Sequence, residues 1–271
     1  MKRYLLVLFV MLSFSSVQAA EKLSVMTSVK PLQLVAQAIV GDLGEVNVLL
    51  PDGSSPHYYA LRPSEVRALN NVDLLIWVGP ELEAFLSKPV KQLPIPVLQL
   101  LDGMEDEGHE EVGHEDHDHH HHHEGLDPHI WLDPELMLDA ARSIQQQLTQ
   151  MHPSLKETLQ ANYEMFATSL AQQDELISQQ LAPYQKTGFV VFHDAFSRFV
   201  EHYSLNQVAA FTLDPSRPSG AKTVAHIRQL IKDKKAHCVF AEPQFKAGVL
   251  KRVVEGEDVN VGTLDPLAIS L

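Results

Sequence analysis

The residues with the clearest chemical capacity lie in one short run, between Asp102 and Asp127. Its 26 positions hold eight histidines and eleven carboxylates, with no Lys or Arg. The histidines are His109, His114, His117, His119, His120, His121, His122 and His123. Neutral imidazole is a good ligand for zinc, copper and nickel, whereas calcium and magnesium sites are built from oxygen atoms. The run therefore indicates a protein that handles a transition metal.

This His-rich run is not expected to fold. It has few apolar side chains to bury and a high density of negative charge, which predicts disorder in the absence of metal. A solvated acidic loop with an expression tag is the alternative, but tags lie at chain termini and are not interleaved with Asp and Glu. We therefore leave residues 102–127 out of the predicted fold.

Four further metal-ligating side chains are expected near the carboxyl ends of strands. His57 follows a predicted strand through a Gly/Ser/Pro turn, and His193 and Asp265 each directly follow one. His129 comes two positions after the run. A single His at a strand end is more often a structural residue than a ligand. Ligands of open α/β sheets, however, gather at the carboxyl ends of the strands, and each half of the chain supplies two of the four candidate side chains. A metal site in the cleft between two lobes is therefore predicted. The other histidines outside the run lie in or beside helical patterns and are interpreted as structural: His152, His202, His226 and His237.

The elements that would position these side chains follow an α/β rhythm in both halves. Short apolar or β-branched segments predict strands at residues 23–27, 46–50, 73–78, 189–192, 207–211, 238–241 and 260–264. Helical patterns predict helices at residues 31–40, 63–69, 223–234 and 245–255. Near-continuous hydrophobicity is typical of parallel strands covered on both faces. The predicted fold class is α/β, with two (β/α)-type lobes and mainly parallel sheets.

A long segment without Gly or internal Pro separates the two lobes. Apolar residues from Leu155 to Leu181 recur at spacings of four and seven, which predicts one helix over residues 154–182, about 40 Å long at 1.5 Å per residue. Ser154 is predicted as its N-cap. A coiled-coil partner is the alternative, but the segment holds barely four heptads. We expect a rigid helix linking an N-terminal lobe at 21–153 to a C-terminal lobe at 183–271.

The first 20 residues predict export. Lys2 and Arg3 precede a short apolar segment, and small residues before position 20 suit a cleavage site, a pattern typical of a signal peptide. The segment is too short for a membrane anchor. A soluble periplasmic protein is therefore predicted, which suits a chain with the single cysteine Cys238.

The charge of the chain excludes one class of partner. The formal net charge of -14 becomes -16 when Lys2 and Arg3 leave with the signal peptide. Phosphate contacts need basic side chains, so no nucleic-acid partner is expected. We expect a soluble monomer.

Several motifs occur in order along the chain from about residue 23. They are PDGSSPH at 51–57 with LRPS at 61–64, DPHIWLDP at 127–134, VFHDAF at 191–196, FAEPQF at 240–245 and GTLDPL at 262–267. With these motifs the chain resembles the periplasmic high-affinity zinc-uptake proteins of bacterial ABC importers, solute-binding protein family 9. The resemblance implies two lobes bridged by a rigid helix and an interlobe metal site. It also implies that Zn²⁺ is a transported ligand, delivered to an inner-membrane ABC permease, and not a catalytic cofactor.

The resemblance also implies particular ligands. His57, His129 and His193 match the three family histidines that bind zinc, and Asp265 matches a fourth carboxylate that relatives sometimes leave unused. Manganese-binding relatives carry Glu at the position of His193, so three imidazoles favour zinc. Because Pro56 stands where some zinc-binding members have Glu, the fourth position is left to Asp265 or water.

Supporting roles follow from the same resemblance. Glu242 and Asp194 are expected near the site, where either would accept the second ring N–H of a ligating histidine. A cap or a surface position is the alternative for both. The His-rich run matches the charged loop of zinc-binding members, and we expect it to capture or buffer Zn²⁺ loosely and pass it to the cleft.

Two other functions stay open at this point. A zinc hydrolase also combines three protein ligands with a water, although no His-Glu-x-x-His motif occurs and only Glu242 suggests a general base. A periplasmic metal buffer would use the His-rich run alone.

The chain departs from the family near its last residue. Relatives continue past the Leu-Asp-Pro-Leu segment with another helix, and often with a second cysteine bonded to the one that matches Cys238. We predict that the sequence is a truncated copy, because a last strand without a covering helix leaves apolar surface exposed. Cys238 is then expected to be a free, buried thiol.

Overall fold

Two α/β lobes and one connecting helix make up the described part of the chain. The computed structural model describes residues 22–101, 127–213, 215, 219–245 and 248–269. The predicted signal peptide at 1–20 and residues 102–126 of the His-rich run lie outside these ranges. No helix within the described ranges is long and apolar enough to cross a membrane.

The N-terminal lobe is a four-stranded parallel sheet with helices packed on it. Its strands are β1 (Leu23–Thr27), β2 (Gly44–Val48), β3 (Leu74–Trp77) and β4 (Val97–Gln99), in the order β2-β1-β3-β4. Its helices are α1 (Lys30–Val40), α2 (Pro63–Leu69) and α3 (Pro134–Met151). Every residue of the apolar strand β3 is buried, as expected for a parallel strand covered on both faces.

The C-terminal lobe has the same strand order. Its strands are β5 (Phe189–His193), β6 (Gln207–Thr212), β7 (Cys238–Ala241) and β8 (Asn260–Thr263), all parallel and in the order β6-β5-β7-β8. Its helices are α5 (Ser197–His202), α6 (Ala221–Lys232) and α7 (Gly248–Val254). In each lobe the first strand lies between the second and the third, which opens a crevice beyond the carboxyl ends of these strands. The predicted α/β fold with two parallel lobes is confirmed.

Three elements are absent from the sequence prediction. Strand β4 has three residues and helix α5 has six, too few for a periodic pattern to stand out. Helix α3 has 18 residues, and the sequence carries its signals: Pro134 opens it, and the Asp133 side chain accepts the N–H of Glu135 at 2.8 Å. Its buried residues recur at helical spacing: Met137, Ala140, Ala141, Ile144, Gln145 and Leu148. Helix α3 was therefore predictable.

The linking helix α4 spans Lys156–Leu181, between 3-10 turns at Pro153–Leu155 and Ala182–Tyr184. The predicted single helix is confirmed, but Ser154 is not its N-cap. Pro153 starts the preceding 3-10 turn, so that Ser154 lies inside this turn and Leu155 takes the cap position without a side-chain hydrogen bond. Leu159 is the only buried residue of α4, because a helix that crosses between two lobes exposes most of its surface.

Polar contacts fasten α4 to both lobes. Near its start, Asn162 Nδ2 donates to the carbonyl oxygen of Ile39 at 2.9 Å. In its second half, Asp174 Oδ1 accepts the Tyr203 hydroxyl at 2.8 Å and lies 2.8 Å from His202 Nε2. The helix is thus held by the end of α1 in one lobe and by α5 and the residue that follows it in the other, which supports the expectation of a rigid link between the lobes.

Cys238 and the last strand, β8, differ in how well they agree with the sequence prediction. Cys238 is the first residue of β7 and its side chain is partly exposed at the rim of the sheet, so the prediction of a buried thiol is wrong. Val261 in the edge strand β8 is 54% exposed, in agreement with the expected apolar exposure. That the sequence is a truncated copy stays a prediction.

Glu83 is a fully buried carboxylic acid at the carboxyl ends of the central strands of the first sheet. Its carboxyl group accepts hydrogen bonds from the Ser28 hydroxyl, after β1, and from the backbone N–H groups of Val78 (3.3 Å) and Gly79 (2.9 Å), after β3. Burial raises the pKa of Glu83 to about 7, although these hydrogen bonds oppose the rise. Between about pH 4.5 and pH 7, the folded protein therefore holds a proton at Glu83 that the unfolded chain has lost.

Replacing Glu83 with Gln should remove one pH-dependent part of the stability. Because the folded pKa of about 7 lies above the unfolded value, the contribution of Glu83 is complete at low pH. It is lost as the pH rises from about 4.5 to about 7, by on the order of 2 to 3 kcal/mol. The free energy of unfolding, measured with urea, should fall more between pH 5 and pH 8 for the parent chain than for Glu83→Gln. The exposed neighbour Glu81 provides the control Glu81→Gln, and equal pH dependence of all three proteins would contradict the prediction.

Candidate metal centre

Three predicted site histidines meet in the cleft between the lobes. His57 lies in a 3-10 turn (Pro56–Tyr58) after β2, His129 precedes the 3-10 turn that leads into α3, and His193 is the last residue of β5. One nitrogen of each ring lies within 4.8 Å of the corresponding nitrogen of the other two. The convergence follows from topology, since β2 and β5 both end at the crevice edge of their sheets.

The three rings differ in exposure. His129 and His193 are 5% and 3% exposed, and their Nε2 atoms are 3.3 Å apart. His57 is half-buried, and its ring centroid lies 5.4 Å from that of His129 and 5.5 Å from that of His193. Trp131, Phe245 and Leu267 are among the residues that line the surrounding cleft. The pair of buried rings therefore forms the floor of the site, with His57 toward solvent.

Glu242 holds the ring of His193. It follows β7, the neighbour of β5, and both of its carboxylate oxygens lie 2.8 Å from His193 Nδ1. Its Oε1 also accepts the backbone N–H of His193 at 3.0 Å. Because a carboxylate can only accept, Nδ1 carries the proton and Nε2 presents its lone pair to the cleft. The contact matches the expectation for Glu242.

Asp127 does the same for His129, a contact that sequence reasoning missed. Its Oδ1 lies 2.7 Å from His129 Nδ1 and accepts the His129 backbone N–H at 3.0 Å. Burial opposes ionisation of Asp127, but the hydrogen bonds from His129 and the charge of Arg198 outweigh it and lower its pKa. The sequence does carry a signal for this contact, since Asp127 is an acid two residues before a candidate ligand, in Asp-Pro-His.

The electrostatics of the pair favour a cation. Burial lowers the pKa of His129, although the Asp127 carboxylate raises it in part, so the ring is neutral at neutral pH. With Nδ1 protonated on both rings, the Nε2 lone pairs of His129 and His193 face each other at 3.3 Å. Two lone pairs this close repel each other unless a positive charge lies between them. The arrangement can therefore bind a metal ion that accepts nitrogen ligands.

Two further candidate residues make other contacts. Asp194 Oδ1 accepts the Ser197 hydroxyl and Gln207 Nε2, each at 2.7 Å, so Asp194 supports the start of α5 and a neighbouring strand. Asp194 and His193 differ because successive side chains at a strand end point to opposite faces of the sheet. The side chain of His193 points to the face toward the cleft. Asp265 is outside the three-histidine group, and its Oδ1 accepts Gln244 Nε2 at 3.1 Å and the Leu267 N–H at 3.2 Å.

Direct contacts join the two lobes beside the histidines. Arg198 in α5 donates from Nε (3.0 Å) and from a terminal nitrogen (2.7 Å) to the carbonyl oxygen of Asp127. Trp131 Nε1 donates to the carbonyl oxygen of Pro266 at 2.6 Å. Leu267 is buried in the core of the N-terminal lobe. The distance between the lobes, and with it the spacing of the histidines, is fixed at the site itself.

Two parallel α/β lobes, one linking helix and a metal-ligating cleft define the two-lobed class of solute-binding proteins. The family model described as ZnuA, zinc-uptake complex component A, periplasmic, matches residues 25–270. The chain belongs to this family.

Individual relatives agree with this membership. The high-affinity zinc uptake system protein ZnuA of Yersinia pestis is 42% identical over 90% of this chain and 83% of its own length. A crystal structure of ZnuA, 25% identical, covers 92% of this chain and 93% of its own with a TM-score of 0.80. A ZnuA deletion mutant with zinc bound has the same identity, covers 92% of both chains and has a TM-score of 0.78.

Replacing Arg198 with Met should loosen the contact between the lobes. The variant loses two donors to the Asp127 carbonyl oxygen, and hydrogen bonds of charged groups contribute about 1.5 to 3 kcal/mol. We expect the free energy of unfolding, measured with urea, to fall by an amount in that range. Arg67→Met, on the exposed side of α2, is the matched control and should change stability by less than about 0.5 kcal/mol. If both variants changed the free energy of unfolding equally, the interlobe contact of Arg198 would make no contribution to stability.

Proposed function

We propose that the chain binds Zn²⁺ in the periplasm through His57, His129 and His193 and delivers it to the membrane permease of an ABC importer. The observation that carries the proposal is the convergence of three imidazole nitrogens within 4.8 Å of one another at the cleft between the lobes. Membership of a zinc-uptake family and relatives named for high-affinity zinc uptake support it.

The chemistry of the ligand set supports zinc as the cargo. Neutral imidazole is a common zinc ligand, and Zn²⁺ takes four ligands in a tetrahedron without preference from d-electrons. Manganese prefers oxygen ligands, which three histidines do not offer. Glu242 and Asp127 act as orienting groups in this proposal: each accepts an Nδ1–H, fixes the tautomer and raises the basicity of the nitrogen that binds the ion.

The fourth ligand is Asp265 or water in this proposal. In the mature protein, residues 1–20 are removed as a signal peptide and the chain is a monomer. The fixed distance between the lobes presents one surface to the permease. The His-rich run acts as a loose zinc collector beside the cleft, and Asp127, the last residue of the run, is the orienting group of His129.

The hydrolase alternative loses its candidate base. Glu242 was the one residue that suggested general-base chemistry, and both of its oxygens lie 2.8 Å from His193 Nδ1. A carboxylate committed to orienting a ligand is not placed to take a proton from a metal-bound water. The family and its curated relatives are named for zinc uptake, and not for hydrolysis.

Replacing His57, His129 or His193 with Gln should abolish tight zinc binding. Each variant removes a metal-binding nitrogen, so its loss should exceed the roughly 10- to 100-fold typical of losing a supporting group around a metal. Zinc affinity is measured by competition with a chelator, with the His-rich run intact. The exposed His226 in α6 supplies the control His226→Gln, which should bind zinc like the parent chain. If all three site variants bound zinc as tightly as the parent chain, the cleft would be excluded as the tight zinc site.

Deleting residues 102–126 should preserve the tight site and reduce the number of weakly bound ions. The three cleft histidines lie outside the deleted segment, and Asp127 is retained to hold His129. Zinc titration by calorimetry should show one high-affinity ion with and without the segment. Loss of all high-affinity binding on deletion would place the main site in the run and favour the metal-buffer alternative.

A further inference from the structure

His57 lies on a short turn between two regular elements. The 3-10 turn Pro56–Tyr58 comes after β2, and residues 59–62, which lead from the turn to α2, belong to no helix or strand. The buried Ser55 fixes the start of the turn, because its hydroxyl accepts the backbone N–H of His57 at 3.4 Å. The position of the His57 ring therefore depends on what holds the end of the turn.

Tyr59 holds that end. It is the residue that directly follows the turn, and its partly buried ring packs against the core of the N-terminal lobe. The ring centroid lies 5.5 Å from that of Phe85, with the two ring planes at 72°. The Tyr59 hydroxyl donates to Oε1 of Glu65 at 2.7 Å. Packing thus holds the body of the ring, and a hydrogen bond holds its polar tip.

Glu65 is itself fixed at the start of α2. It is the third residue of that helix, and its side chain is 15% exposed. Its Oε2 accepts the backbone N–H of Arg62 at 2.7 Å, while Oε1 accepts the Tyr59 hydroxyl. One donor on each oxygen determines the direction of the carboxylate. Glu65 therefore ties the segment that follows His57 to the first turn of α2.

We propose that the hydrogen bond between Tyr59 and Glu65 positions His57 for zinc. Glu65 lies outside the three-histidine group and acts on His57 through Tyr59. While this hydrogen bond is formed, the His57 nitrogen stays within 4.8 Å of the nitrogens of His129 and His193. When it is broken, residues 57–62 can move, and fewer molecules have all three nitrogens in place. The apparent zinc affinity falls with the fraction of molecules that are competent to bind. This inference rests on the proposed zinc site.

Replacing Tyr59 with Phe should weaken zinc binding while the ring keeps its packing. We expect the zinc dissociation constant, measured by competition with a chelator, to rise about three- to tenfold. A hydrogen bond that only supported the fold would be equally strong with and without zinc. Its loss would lower the free energy of unfolding and leave the dissociation constant unchanged. Tyr58→Phe is the matched control, because it removes the same group from an exposed side chain beside His57 and should bind zinc like the parent chain.

A double-mutant cycle tests Glu65 as the acceptor. Glu65→Ala should also weaken zinc binding. Adding Tyr59→Phe to it should then change the dissociation constant less than about twofold, because the hydroxyl has already lost its acceptor. If Glu65→Ala does not fold, the comparison of Tyr59→Phe with Tyr58→Phe still decides the question, since each of these variants loses a single oxygen.

Three results would overturn the proposal. They are parent-like zinc affinity of Tyr59→Phe, an equal loss of affinity in Tyr58→Phe, or losses that multiply fully in the double variant with Glu65→Ala. None of them alters tight zinc binding by the parent chain or its loss in His57→Gln. Failure of this inference is therefore distinguishable from failure of the proposed function.

Discussion

Two imidazole lone pairs held toward each other are the constraint on which this structure depends. Nε2 of His129 and Nε2 of His193 are 3.3 Å apart, and a carboxylate behind each ring, the partly buried Asp127 or the buried Glu242, keeps the proton on Nδ1. The rings are nearly inaccessible to solvent, so water screens their repulsion poorly. A divalent cation turns this unfavourable pair into two metal bonds. The two carboxylates therefore fix the direction in which both lone pairs point.

The constraint spans both lobes, because His129 and His193 come from different sheets. Their spacing is maintained by Arg198 on the Asp127 carbonyl, by Trp131 on the Pro266 carbonyl, and by the long helix fastened through Asn162 and Asp174. A protein tied together in this way does not need a wide hinge motion to capture its ligand.

Most of the fold was predictable because its signals are local. The apolar strands, the uninterrupted segment that forms α4 and the placement of His57, His129 and His193 at strand ends or motif positions all follow from the chain order of residue types. The errors have local causes too: Pro153 starts a 3-10 turn that displaces the cap from Ser154, and α3 was overlooked although Asp133 and Pro134 mark its start. Cys238 is only partly buried because it begins its strand at the rim of the sheet.

The sequence by itself determined the α/β class, the linking helix and the nitrogen-rich ligand set, since these depend on periodicity and on the chemistry of side chains. Only the tertiary structure decided which carboxylate supports which histidine. Glu242 reaches His193 across 49 positions because β5 and β7 are neighbours in the sheet, whereas Asp194, adjacent in sequence, points to the other face. It also decided that Asp265 is held by Gln244. Hydrogen-bond partners of this kind depend on strand order and side-chain direction, which no local pattern in a single sequence encodes.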